Sequence, residues 1–152
     1  MSKKIAIYII AVMAVLASCK PEAQKEAELL LQRANTEYAN KEYDKALRTI
    51  DSLRKIYPTA IEVRKQALKL KQTVSLKQTQ EELGRTDSML QAVTLDYNYL
   101  KTKVEKDREA LRATAEELQM LTLTRMKRDS LQVCFDAQCA KIKYIMKKQK
   151  EN

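Results

Sequence analysis

The chain has 152 residues, with 29 lysines and arginines against 20 aspartates and glutamates, no histidine, one glycine and two prolines. So few turn formers exclude a sheet-rich fold, which needs a turn every ~8–12 residues, and the missing histidine removes the commonest general base. Leu, Ala, Lys, Glu and Gln are good helix formers, and Phe135 with seven tyrosines is the only aromatic bulk, so the composition predicts an all-α, partly elongated chain without a large compact core.

The chain begins with Lys3 and Lys4, then an apolar run from Ile5 to Ala17, then Ser18 and Cys19. That run is too short for a membrane-spanning helix, which needs about 20 residues. A basic start, an apolar middle and small residues at the end are the layout of a secretory signal. With Leu16-Ala17-Ser18-Cys19 closing it, the stretch resembles a bacterial lipoprotein signal. The resemblance implies that residues 1–18 are a cleaved signal peptide and that Cys19 is the lipid-attachment site. It would carry a diacylglyceryl group on its sulfur and usually a third acyl chain, such as palmitate, on its new amine. Two or more chains hold a protein to a bilayer where one binds only marginally. Lys20, where an aspartate would retain such a protein at the inner membrane, favours the outer membrane of the envelope by the same resemblance. Without Lys3 and Lys4 the formal charge of +9 becomes about +7.

Residues 19–75 read as a tether followed by a small helical unit. One helix is expected over Glu22–Ala39, with Ala27, Leu30, Leu31, Ala34 and Tyr38 at steps of three and four. Asn40 is read as its left-handed stop. A second helix over Glu42–Ile56 places Tyr43, Ala46, Leu47, Ile50 and Leu53 on one face, and Tyr57-Pro58 ends it. Thr59-Ala60-Ile61-Glu62 has the spacing of a capping box. It starts a third stripe of Ala60, Val63, Ala67, Leu70 and Val74. The pair of helices resembles a tetratricopeptide repeat over Ala27–Pro58. Ala34, Tyr43, Ala46, Ile50 and Pro58 stand at or near its small, aromatic, apolar and closing positions, and Arg33 departs from it. The resemblance implies a helix–turn–helix unit with a concave contact surface, which the third helix must cover.

Near Ser75 the stripe changes phase, and residues 76–128 read as a long coiled-coil-like helix. One seam position recurs at Leu76, Leu83, Leu90, Tyr97, Val104, Leu111 and Leu118, the other at Thr79, Thr86, Val93, Leu100, Asp107, Thr114 and Leu121. Thr79 and Glu82 mark a point where the helix could restart. The threonines and Asp107 make the second position patchy, so self-association, a partner helix and folding back on its own chain all stay open. Residues 129–152 read as a basic amphipathic helix that starts at Asp129 and carries Leu131, Phe135, Cys139, Ile142 and Met146. A short strand over 131–135 is the weaker reading.

Charge is uneven: Glu81–Thr124 holds nine acids and six bases, Arg125–Lys150 eight bases and two acids. A basic end on an envelope protein suits an anionic cell-wall polymer or lipid headgroups rather than nucleic acid. Cys134 and Cys139 would sit in a compartment that permits disulfides. Within one helix, however, five residues rise about 7.5 Å, beyond disulfide reach. Three readings remain, buried free thiols, a bond across a local break in the helix, or an intermolecular bond, and the first and last are preferred. Glu81-Glu82 and Glu116-Glu117 lie beside lysines with no second element to pair them for acid–base work. No catalytic residue, cofactor or metal ligand is expected. The sequence thus points to a non-enzymatic envelope lipoprotein that acts as a protein–protein adaptor, its partner an envelope protein. The alternative is a structural coiled-coil lipoprotein that ties membrane to wall, similar to the small murein lipoproteins.

Overall fold

The structure, a computed structural model, describes residues 22–151. Residues 1–21, where the signal segment, Cys19 and the start of the tether are expected, lie outside the described residues. Among the described residues there are four helices and no strand: α1 (Glu22–Ala39), α2 (Tyr43–Ile56), α3 (Ile61–Glu109) and α4 (Ala115–Glu151). The fold is all-α, as the composition requires. The chain divides into two compact units between Lys71 and Gln72.

In the first unit α1 and α2 form a helical hairpin. Ala27, Ala34, Ala46, Ile50, Leu53 and Ala67 are completely buried. The alanines leave the helix surfaces flat enough for close approach, and burial of a side chain the size of Ile50 or Leu53 contributes about 1.5–3 kcal/mol. The first turns of α3 cover the hairpin through Val63 and Ala67, and Lys71 Nζ reaches Asp51 Oδ1 on α2 at 2.6 Å. Tyr57, at the end of α2, donates its hydroxyl to Glu26 on α1 at 2.8 Å.

The stop after α1 differs from the expectation by one residue. Glu42 N–H bonds Glu37 O and Lys41 N–H bonds Tyr38 O, both at 2.9 Å. That is the paired pattern of a Schellman motif. It makes Asn40 the C-cap and puts the left-handed backbone on Lys41, φ 61°. The expected capping box at Thr59 also does not form. Ile61 N–H bonds the Thr59 carbonyl within a turn, and the Glu62 carboxylate pairs with Lys65 at 2.9 Å.

In the second unit the two seam positions read from the sequence hold along α3. Val93, Val104, Thr79 and Thr86 are buried, and Leu76, Leu83, Leu90, Tyr97, Leu100 and Asp107 are half-buried. The Thr79 hydroxyl is satisfied by Ser75 O at 2.8 Å, so a buried threonine costs the seam little. No restart occurs at Ser75 or Thr79, because α3 runs unbroken from Ile61 to Glu109.

The seam then ends earlier than its pattern. The chain reverses over 110–114, and Leu111, next in the heptad series, is 95% exposed. A second Schellman motif makes the reversal: Leu111 N–H bonds Arg108 O at 3.0 Å, Arg112 N–H bonds Asp107 O at 2.6 Å, and Leu111 takes φ 56°. Thr114 and Glu117 form a reciprocal capping box, each backbone N–H donating to the other's side chain at 3.1 and 3.2 Å. α4 therefore starts at Ala115, not near Asp129, and residues 131–135 lie inside it. It runs back along α3. Lys103 donates to Glu117 across the pair, and the Arg128 guanidinium lies 4.1 Å from the Tyr97 ring centroid. The long helix is thus folded against its own chain. On α4 the buried stripe holds Ile145, while Met146 is 48% exposed, a one-residue rotation from the expected face.

Leu111 makes almost no contact yet holds a left-handed backbone, which costs an ordinary L-residue roughly 1–2 kcal/mol. Leu111→Gly should raise the stability of the protein by about 0.5–1 kcal/mol after the glycine's greater unfolded entropy is deducted. Urea unfolding followed by circular dichroism measures it, and a lowered midpoint would contradict the strain assigned to this turn.

Candidate interaction site on the first helical unit

Between α1 and α2 lies a groove of about 370 Å³ lined by Leu30, Arg33, Glu37, Lys45, Arg48, Thr49 and Ser52. Helical spacing builds it. Leu30, Arg33 and Glu37 succeed one another at steps of three and four on α1, as do Lys45, Arg48 or Thr49, and Ser52 on α2. Glu37 is the floor, only 7% exposed. Thr49 donates its hydroxyl to Glu37 Oε2 at 2.6 Å, and Arg33 Nε donates to Oε1 at 3.0 Å. The Thr49 hydroxyl, with Arg33 beside it, holds the Glu37 carboxyl below its ordinary range against the opposing effect of burial. Glu37 is thus fixed as an anion and is a poor proton donor at neutral pH.

The three cations of the groove are not equivalent. Arg33 is committed to Glu37, and Lys45 pairs with Glu42 at 2.6 Å. Arg48 has no ion-pair partner among the described residues. A single free guanidinium beside Thr49, Ser52 and the apolar Leu30 suits a carboxylate on an extended or helical segment, which it can hold with two parallel N–H bonds.

The two cysteines of α4 are free; Cys134 is exposed and Cys139 half-buried. Neither is a fully buried thiol, which corrects that expectation. Both lie in one unbroken helix, which leaves no local break for a bond between them. Of the sequence readings, an intermolecular bond remains for Cys134. At the end of α4, Lys141, Lys143, Lys147 and Lys150 are exposed, while Lys148 is held by Glu151 at 2.7 Å. Among the described residues no group of three or more His, Cys, Asp and Glu could hold a metal ion, and no helix is long and apolar enough to cross a membrane. Lys103 is raised above the usual lysine range, first by Glu117 and then by Asp107. The same pair, seen from Glu117, lowers that carboxyl.

The sequence reading did not single out Glu37, Thr49 or Arg48. Glu37 sits on the buried face of α1, three residues from Ala34 and ten from Ala27, where an acid in an apolar stripe signals a partner in the fold. No family model, characterised protein or solved structure matches this chain.

The depressed Glu37 carboxyl links stability to acid. Its contribution is complete above the unfolded value of about 4.5 and is lost as pH falls through the lower folded value. Glu37→Gln should therefore cost about 1–3 kcal/mol at neutral pH and flatten the acid limb of thermal stability below pH ~4.5. Melting curves from pH 7 to 3 test both. An acid limb as steep in the variant as in the parent would clear Glu37 of the role.

Proposed function

We propose that this chain is a lipid-anchored cell-envelope protein that works as a non-catalytic adaptor. Acyl chains on Cys19 hold it to a membrane, and the α1–α2 groove binds an acidic segment of an envelope protein. The observation that carries the contact is the groove itself. Its one internal anion already accepts a hydrogen bond from Thr49 and is paired with Arg33, which leaves Arg48 available to a ligand. The anchor rests on the order Lys3-Lys4, Ile5 to Ala17, Ser18 and Cys19 in the sequence. A tethered adaptor gains effective concentration from its anchor, so one charged contact and modest apolar burial suffice for a useful interaction.

The anchor and the contact separate experimentally. Cys19→Ser should leave an unprocessed precursor without lipid, read by metabolic labelling with a fatty-acid analogue; normal labelling would remove the anchor from the reading. Photo-crosslinking in cells from a probe near Ser52 should capture a partner in the parent. Arg48→Glu should lower the yield about tenfold or more, since a like charge now faces the bound carboxylate. Equal capture by the two proteins would sink the groove as the contact.

A further inference from the structure

The α3–α4 hairpin buries its seam inside one chain, which leaves its two flanks to compare. With Leu83, Leu90 and Tyr97 at heptad position a and Thr86, Val93 and Leu100 at d, the reversed helix carries Leu121 and Phe135 at a and Thr124 and Leu131 at d. In such an antiparallel pair the g and c positions of both helices share one flank, and the e and b positions share the other. The flanks differ in chemistry. Met89, Tyr99, Met120, Leu123 and Tyr144 lie on the g and c flank and are 50–69% exposed. The opposite flank exposes only Leu118 and Met146 among large apolar residues, and its b positions are small or polar, such as Gly84, Gln91, Asn98 and Thr122. Leu95, Met126 and Val133 are exposed at f, on the face away from the seam, but of the two flanks the g and c flank carries most of the exposed apolar surface, as a contact surface does.

The charges on that flank say what covers it. At g positions α3 carries Glu82 and Asp96, and α4 carries Lys127 and Lys141. None of the four has an ion-pair partner among the described residues. The register set by Lys103 with Glu117 and by Tyr97 with Arg128 places Asp96 level with Lys127, Glu82 level with Lys141, and Met89 level with Cys134. Among the g positions the charges left unpaired are thus acidic on α3 and basic on α4, Lys103 at g on α3 being held by Glu117 and Asp107, while α3 also exposes Arg85 and Lys106 at c. A second copy turned about an axis parallel to the helices lays its α4 over α3. Asp96 then meets Lys127 and Glu82 meets Lys141, each pair twice. A copy turned end over end would instead set Glu82 against Asp96 and Lys127 against Lys141. The first arrangement pairs opposite charges at every one of these sites, and the second pairs like charges.

We propose that the g and c flank of the α3–α4 hairpin is the interface of a homodimer in which two hairpins close a four-helix bundle about a two-fold axis parallel to the helices. The interface is isologous, as two-fold contacts must be, and neighbouring helices across it run antiparallel as in up-and-down bundles. The chain reversals at Leu111 lie at the same end of the dimer. The inference goes beyond the adaptor reading and does not depend on it.

Sedimentation equilibrium of the full-length protein in mild detergent tests it. The parent should be a dimer; a monomer up to about 100 μM, where even weak specific dimers form, overturns the proposal and leaves the flank to another protein. Leu123→Glu, at an exposed site, should weaken self-association about tenfold or more with helical content unchanged. Gln91→Glu on the other flank should not. Loss of the dimer in Gln91→Glu, or its survival in Leu123→Glu as mere co-residence in a micelle would give, counts against it. Asp96→Lys should weaken the dimer, and Asp96→Lys with Lys127→Asp should restore it; failure to restore rejects the charge pairing. Spin labels on Leu111→Cys, with Cys134→Ser and Cys139→Ser, report the orientation. Same-end turns give roughly 10–20 Å between chains from helix spacing, whereas a separation near the ~55 Å length of α4 means the end-over-end arrangement and overturns the axis.

Discussion

The second unit depends on the chain reversal between α3 and α4, and that reversal is held by a knot of charge. Asp107 takes Lys103 at 3.3 Å and Arg112 at 3.6 Å, while Lys103 also donates to Glu117 at the start of α4. Asp107 is half-buried at a seam position where an apolar residue would be expected. Its place there comes from the turn: the seam ends at Asp107, and the carboxylate closes it by gathering Lys103 from α3 and Arg112 from the turn. Exposed pairs are individually worth little. This one is a network in which Glu117 is also half of the Thr114 capping box, so the start of α4 and its attachment to α3 are fixed by one side chain. Through that link the heptad stripe of α3 finds its partner inside its own chain. A long helix that satisfies its seam intramolecularly cannot also offer that seam to a second copy, so any self-association must use another face.

Most of the helical content was legible because it rests on period and composition. The first two helices, the faces built on Ala34, Ala46 and Ile50, and the seam from Thr79 to Val104 all come from spacing of three and four. The reversal was not legible. Both turns put a left-handed residue where glycine is usual, yet Lys41 and Leu111 hold those positions, and the one glycine, Gly84, lies in the middle of α3. Leu111, Leu118 and Leu121 also continue the heptad beyond the true end of the helix, so the pattern conceals the break. The signal that could have found it is Thr114-Ala115-Glu116-Glu117, a capping-box spacing as good as that of Thr59 to Glu62. The two threonines differ in their position relative to the preceding turn: Thr114 comes right after a Schellman motif, whereas the Thr59 carbonyl is consumed by the turn itself.

The candidate groove shows the same limit at the level of chemistry. The sequence sets Arg33 apart only as a departure from the repeat pattern, and nothing in the spacing says which of Arg33 and Arg48 is already paired. What separates them is the tertiary pairing of Glu37 with Thr49, twelve residues apart, which draws in Arg33 and leaves Arg48 over. Periodicity says which residues share a face and does not say which charges are already spent. The cysteines are a related case. Helix geometry alone rejects a bond between Cys134 and Cys139, but only the position of the seam decides that Cys134 is exposed rather than buried.

A hairpin that closes its own seam faces the problem of its remaining surface. α4 is apolar on more than one side: Phe135 and Ile145 turn toward the seam, while Met120, Leu123 and Tyr144 do not. A helix apolar on more than one side belongs inside something larger than a pair. Had the exposed residues been scattered evenly, they would need no explanation. Leu95, Met126 and Val133 face away from the seam, but five exposed apolar residues share the g and c flank against two on the e and b flank, and Glu82, Asp96, Lys127 and Lys141 on that flank have no ion-pair partner among the described residues. In the proposed dimer the unpaired g-position charges are complementary when the second copy keeps the same heights along the axis, so there the charges would set the orientation and the apolar residues would supply the driving force.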